Sequence, residues 1–173
     1  MKIIFLDFDG VINNWNNFYG VDENNAHVLK EIIEKTGAKV VATTSNKYSF
    51  QSDSTVNISN TNFFKICLML KELGIEIDDV TPMVGRDKSL EIKGYLKAHP
   101  EAESYVILDD EIVSGEFIEH QVYLDLYRGL QPEHILPAIN ILNGILEFYP
   151  KDYDIKETME KRLIRINQYY NKN

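Results

Sequence analysis

The chain opens with an apolar run, Lys2 to Leu6, that meets acids at Asp7 and Asp9 and turns at Gly10. That is the pattern of a buried strand whose carboxyl end opens into a loop. Apolar residues then recur at helical spacing at Ala26, Val28, Leu29, Ile32 and Ile33, with Asn24 and Asn25 placed to cap the start and Gly37 the end. Lys39 to Thr43 reads as a second buried strand. Tyr48 to Asn62 is dominated by Ser, Asn, Asp and Thr, whose side chains compete with backbone ladders, and reads as a loop. A helix starting at Thr61 or Asn62 and ending at Gly74 would turn Phe64, Cys67, Leu68 and Leu73 inward. Val80 to Val84 is a weaker strand, followed by a helix from about Ser89 to Ala98 carrying Leu90, Tyr95 and Leu96. Tyr105 to Leu108 is a clear strand and Gln121 to Leu124 a last one. Pro132 to Leu146 then forms a helix with Ile135, Leu136, Ile139 and Leu142 on one stripe.

Strands that alternate with helices predict an α/β domain with a mostly parallel sheet covered on both faces. Such sheets place their chemistry beyond the carboxyl ends of the strands. Residues 1–150 are expected to form this single domain. The charged segment 151–173, with Ile155, Met159, Leu163 and Ile166 near helical spacing, is expected to be a helical extension packed on the domain or at a subunit interface. No internal repeat or low-complexity linker interrupts the chain.

Composition narrows the classes without changing that picture. The length, 173 residues with 44% apolar and 26% charged, suits one globular domain with a sizeable core. The net charge of -9 opposes diffuse attraction to nucleic acid or anionic lipid, both held largely by Lys and Arg, although a local basic patch would override it. The single cysteine, Cys67, makes no internal disulfide. The apolar start is too short for a signal peptide, and no stretch approaches the roughly 18 apolar residues of a membrane span, so a cytoplasmic location is expected. His27, His99, His120 and His134 are scattered, with no cluster at zinc spacing.

The chemistry is concentrated at predicted strand and helix ends. In LDFDGVIN, Asp7 and Asp9 stand two apart, so in extended chain both carboxylates face one pocket. Two close carboxylates repel unless a proton or cation intervenes, and a magnesium ion is a suitable cation. Gly10 permits a sharp turn and a close approach to a ligand. A bare D-x-D is a weak signal, since acids near turns are commonly just solvated. VVATTSN adds Thr43, Thr44 and Ser45 at the second strand's end, where hydroxyl and backbone N–H groups can hold a phosphate oxygen. RDKSLEIKGYL places Lys88 before a helix, with Ser89 able to cap it, while Arg86, Lys93 and Lys97 read as a solvated face. YVILDDE sets Asp109 and Asp110 after a buried strand, where a helix cap is the plainer reading of either alone.

Together, and in this order, these segments resemble the haloacid dehalogenase (HAD) superfamily. Its four motifs are D-x-D on strand one, Thr or Ser on strand two, Lys or Arg before a helix, and an acidic pair on strand four. The resemblance runs from Asp7 to Asp110 and implies a Rossmann-like sandwich and a magnesium-dependent phosphohydrolase. It implies that Asp7 attacks phosphorus to form an aspartyl-phosphate, and that Asp9 protonates the leaving oxygen and then activates water. It further implies that Thr43 orients the phosphoryl group with help from Gly10, Thr44 and Ser45, and that Lys88 balances charge. Asp7, the Asp9 carbonyl and Asp109 or Asp110 would hold Mg2+. Thr43 is preferred to Thr44 because it follows the apolar run directly, and Lys88 to Lys93 because it stands at the helix entrance.

Neither the interval from Gly10 to Thr43 nor that from Thr43 to Lys88 has room for a full cap domain. The resemblance is therefore closest to small capless members, which act on phosphate groups of larger molecules such as proteins or nucleic acid ends. Trp15, Phe18 and Tyr19 offer stacking surfaces or simply pack their loop, and Lys47 offers a phosphate contact, although a lysine beside a turn is usually solvated. A signalling receiver also sets acids, a Thr and a Lys at strand ends, but its lysine comes last, whereas Lys88 precedes Asp109 and Asp110. A non-catalytic binding module on the same scaffold and a polynucleotide end phosphatase stand as alternatives.

Overall fold

The computed structural model describes residues 1–14, 17, 20–50, 61–85, 87–113 and 115–151. Trp15, Phe18, Tyr19, Arg86, the middle of the polar loop (51–60) and the extension from residue 152 onward lie outside the described residues.

Strand β1 (Lys2–Leu6) is central. It pairs in parallel with β2 (Lys39–Ala42) on one side and with β4 (Ser104–Asp109) on the other. Strand β3 (Asp79–Val80) lies beyond β2 and β5 (Gln121–Tyr123) beyond β4, which gives an all-parallel sheet in the order β3-β2-β1-β4-β5. The period-two alternation of β1 divides the core. Ile4 and Leu6 point to one face with Leu29 and Ile32 of α1 (Glu23–Thr36), Ile66 and Leu70 of α2 (Asn62–Glu72), and Ala138 and Ile141 of α4 (Ile135–Leu142). Ile3 and Phe5 point to the other, with Ile92 and Tyr95 of α3 (Lys88–Ala98) and Phe117. Both faces are covered, as a parallel sheet requires. The expected α/β Rossmann-like sandwich is therefore the fold, and among the described residues neither motif interval contains a cap domain.

Several local expectations are corrected. Asp22, rather than Asn24 or Asn25, caps α1, accepting from both their backbone N–H groups at 2.9 and 3.2 Å. Asn25 is instead buried, donating its side-chain amide to the Arg128 carbonyl at 3.2 Å. Along α2 the inward stripe is Ile66 and Leu70, while Leu68 is 46% exposed. This helix is apolar nearly all round, so the packing partner and not the periodicity selects the face. The same holds for α4, where Ala138, Ile141 and Leu142 are buried and Leu136 is 65% exposed. That helix stops at Leu142, short of the expected Leu146, and only a 3-10 turn, Pro132–His134, precedes it. β3 is shorter than expected because Pro82 has no N–H to continue a ladder. Tyr48 to Phe50, expected in a loop, close a 3-10 helix, Ser45–Phe50. No helix among the described residues is long and apolar enough to cross a membrane.

Candidate active site

The register of the three central strands builds the site. Leu6 pairs with Ala42 on one side and with Leu108 on the other. The next residue of each strand therefore lies in one row across the carboxyl edge: Thr43, Asp7 and Asp109. Backbone bonds fix the row, with the Asp7 N–H donating to the Leu108 carbonyl at 3.1 Å and the Thr43 N–H to the Leu6 carbonyl at 2.8 Å. Chain neighbours supply Asp9 and Asp110.

Asp7, Asp109 and Asp110 are all buried and bring a carboxylate oxygen each to within 4.8 Å of one another. Lys88, the first residue of α3, reaches into this cluster, its Nζ donating to Asp7 Oδ2 at 2.5 Å and to Asp109 Oδ2 at 2.7 Å. Asp87, not Ser89, caps α3 by accepting from the Leu90 N–H at 3.2 Å. The fields agree with the geometry. Burial opposes the charge on Lys88, but the Asp109 and Asp7 carboxylates outweigh it and hold the ammonium above its usual range. Burial pushes the Asp109 carboxyl up to about 7, with Lys88 pulling it down and Asp7 pushing it further up. Among the described residues, three buried acids gathered around the Lys88 ammonium leave an excess of negative charge, and an all-oxygen donor set of this kind fits a hard divalent cation.

Gly10 has a positive φ of 74°, and a Cβ there would stand 2.7 Å from Asp110 Cγ. The backbone at Gly10 thus lies close against the Asp110 carboxyl. Its N–H donates to Asn13 Oδ1 at 2.9 Å. Thr43 and Thr44 are both buried, but they differ in partners. Thr44 Oγ1 accepts from the Asn46 backbone N–H at 3.2 Å, whereas Thr43 Oγ1 is a buried polar atom with no hydrogen-bond partner among the described residues. Ser45 is exposed at the start of its 3-10 helix. Lys93 pairs with Glu116 on the exposed surface and does not enter the cluster.

Asp9 is half-buried and stands outside the three-acid group. Asn13 Nδ2 donates to one of its oxygens and Asn46 Nδ2 to the other, both at 2.9 Å. Burial raises its pKa against the opposing pull of Asn13. These two amides were missed in the sequence, although LDFDGVIN and VVATTSN each end on one of them. Lys47 was also misread: it is 1% exposed, its Nζ donating to Glu91 Oε2 at 2.6 Å and to Thr81 Oγ1. The available signal was Glu91, an acid beside Ile92 on the buried stripe of α3.

A parallel α/β sheet whose carboxyl edge gathers acids, a hydroxyl and a helix-entrance lysine defines a HAD-type domain. Over residues 3–135 the chain matches the family described as the HAD domain in Swiss Army Knife RNA repair proteins, and it belongs to that family. Comparisons with curated proteins and with solved structures give no match.

Proposed function

We propose that the chain is a Mg2+-dependent phosphohydrolase that passes the phosphoryl group through Asp7. The observation that carries this reading is the row Thr43, Asp7, Asp109, closed by Lys88 at 2.5 Å from Asp7. A carboxylate oxygen of Asp7 attacks phosphorus, the P–O bond to the leaving group breaks, and Asp9 gives that oxygen a proton. Asp9 then takes a proton from the water that attacks the aspartyl-phosphate, releasing inorganic phosphate and restoring Asp7.

The remaining residues serve these two displacements. Thr43 offers its unpartnered hydroxyl to a phosphoryl oxygen, with Thr44 and Ser45 beside it. Lys88 stabilises the charge that builds on the transferring group. Asp7, Asp109 and Asp110, with the Asp9 carbonyl, are the groups that would hold Mg2+, which when bound neutralises phosphoryl oxygens. Asn13 and Asn46 orient the Asp9 carboxyl. The test is hydrolysis of an aryl phosphate with Mg2+. Asp7→Asn abolishes turnover on this reading, and undiminished turnover in that variant, with contaminating phosphatase excluded, would sink it.

A second, finer reading concerns the substrate. The family's RNA repair context favours a phosphate carried at a polynucleotide end, a substrate suited to a site with no cap domain among the described residues. The net charge of -9 weighs the other way, so contacts would be few and local. Comparing phosphate-ended RNA oligonucleotides with nucleotides and phosphopeptides decides it. A kcat/KM for the RNA ends no higher than for the other two classes refutes the RNA reading.

A further inference from the structure

Lys47 and Glu91 are each 1% exposed and joined at 2.6 Å. A buried ion pair is expensive in desolvation, and apolar residues of similar volume are often as stabilising or more so. Its placement shows what it does add. Lys47 lies in the 3-10 helix just after Thr43, and Glu91 lies one turn along α3 from Lys88. Lys47 also donates to Thr81 Oγ1, and that hydroxyl donates to the Ala42 carbonyl at 3.3 Å, immediately before Thr43. The second oxygen of Glu91 accepts from the Val84 N–H at 3.3 Å, in the loop that enters α3. Four pieces of backbone are therefore tied at one buried point: the end of β2, the 3-10 helix, the loop after β3 and the first turn of α3.

We infer that Lys47 and Glu91 are positioning residues for Lys88, locking the first turn of α3 against the hydroxyl-bearing end of β2 so that the Lys88 ammonium stays on Asp7 and Asp109. The two charges cancel, so the pair adds direction and no net charge to the pocket. Salt-bridge geometry is directional where apolar packing is not, and small errors in placing a catalytic group are costly. Burial lowers the pKa of Lys47, and the Glu91 carboxylate opposes that shift. For its kinetic readout the inference rests on the phosphohydrolase reading.

The experiment replaces the pair by apolar residues, Lys47→Met with Glu91→Leu, in the full chain. Three measurements follow: thermal unfolding, kcat and KM for an aryl phosphate with Mg2+, and hydrogen exchange of the Lys88 ammonium by 15N NMR, assigned with Lys88→Met. The expected result is a folded protein melting near the wild-type temperature, with kcat lower by about tenfold or more, KM little changed, and Lys88 protection lost. Wild-type kcat with undiminished Lys88 protection overturns the inference, because the pair is then only packing. If the double variant does not fold, Glu91→Gln, which keeps the shape, is read by the same criteria. If the wild-type protein turns over no phosphate ester, the phosphohydrolase reading fails, and the Lys88 exchange still decides whether the pair positions it.

Discussion

Lys88→Met removes the ammonium that pairs with Asp7 at 2.5 Å and with Asp109 at 2.7 Å while keeping a side chain of similar length. Breaking a buried pair by deleting one partner costs about 3–5 kcal/mol, because the other charge is left uncompensated. In a chain of this size that is roughly 6–20 °C in melting temperature without metal. The sign of the pH dependence follows from Asp109. Its folded pKa, about 7, lies above its unfolded value, so its contribution to stability is full below the unfolded pKa and is lost as pH rises through 7. Lys88 pulls that folded value down, so removing the lysine raises it and carries the loss to higher pH. The melting difference between wild type and Lys88→Met is therefore expected to be smaller at pH 5 than at pH 8.5, by the part that depends on Asp109. Added Mg2+ should narrow it again by binding the folded acids. Differential scanning fluorimetry across this pH range, in chelator and then in Mg2+, measures all three effects. A difference that is constant with pH, or one that Mg2+ leaves untouched, would refute the charge argument. Turnover of the variant at saturating Mg2+ should fall at least about 100-fold, as for loss of other preorganised charge stabilisers.

Three further outcomes are expected. Thr43→Val keeps the shape and deletes the unpartnered hydroxyl, so melting should hold or rise while kcat/KM falls; a fall in stability of more than about 1 kcal/mol would mean that the hydroxyl has an internal role. Gly10→Ala places a Cβ 2.7 Å from Asp110 Cγ at a φ of 74°, which should cost about 1–2 kcal/mol from the backbone alone and weaken Mg2+ binding measured by calorimetry. Asn46→Ala removes a hydrogen bond that lowers the Asp9 pKa, so the alkaline limb of the pH–rate profile, where Asp9 ceases to be an acid, should move to higher pH; a limb that stays in place would separate it from Asp9.

Much of this molecule was legible from order along the chain. The strand ends at Asp7, Thr43 and Asp109 follow from short apolar runs that stop at polar residues, and the order of acid, hydroxyl, lysine and acid carried the family resemblance. Helix faces were less legible in α2 and α4, because a helix apolar all round has no face until a neighbour selects one. The N-cap of α1 was missed because Asp22, Asn24 and Asn25, three of four consecutive polar residues, all qualify, and only the backbone conformation at Asp22 chose among them.

The sequence by itself determined which residues stand at the sheet's edge, since that depends on local periodicity. The tertiary structure decided who their neighbours are. The order β2-β1-β4 sets Thr43 and Asp109 on either side of Asp7, although the three lie far apart in the chain. The same packing left Thr43 Oγ1 without a partner, gave Thr44 its own, sent Lys88 inward and Lys93 outward, and buried Lys47 against Glu91. Those distinctions depend on contacts between residues distant in sequence, whose partners exist only once the sheet has formed.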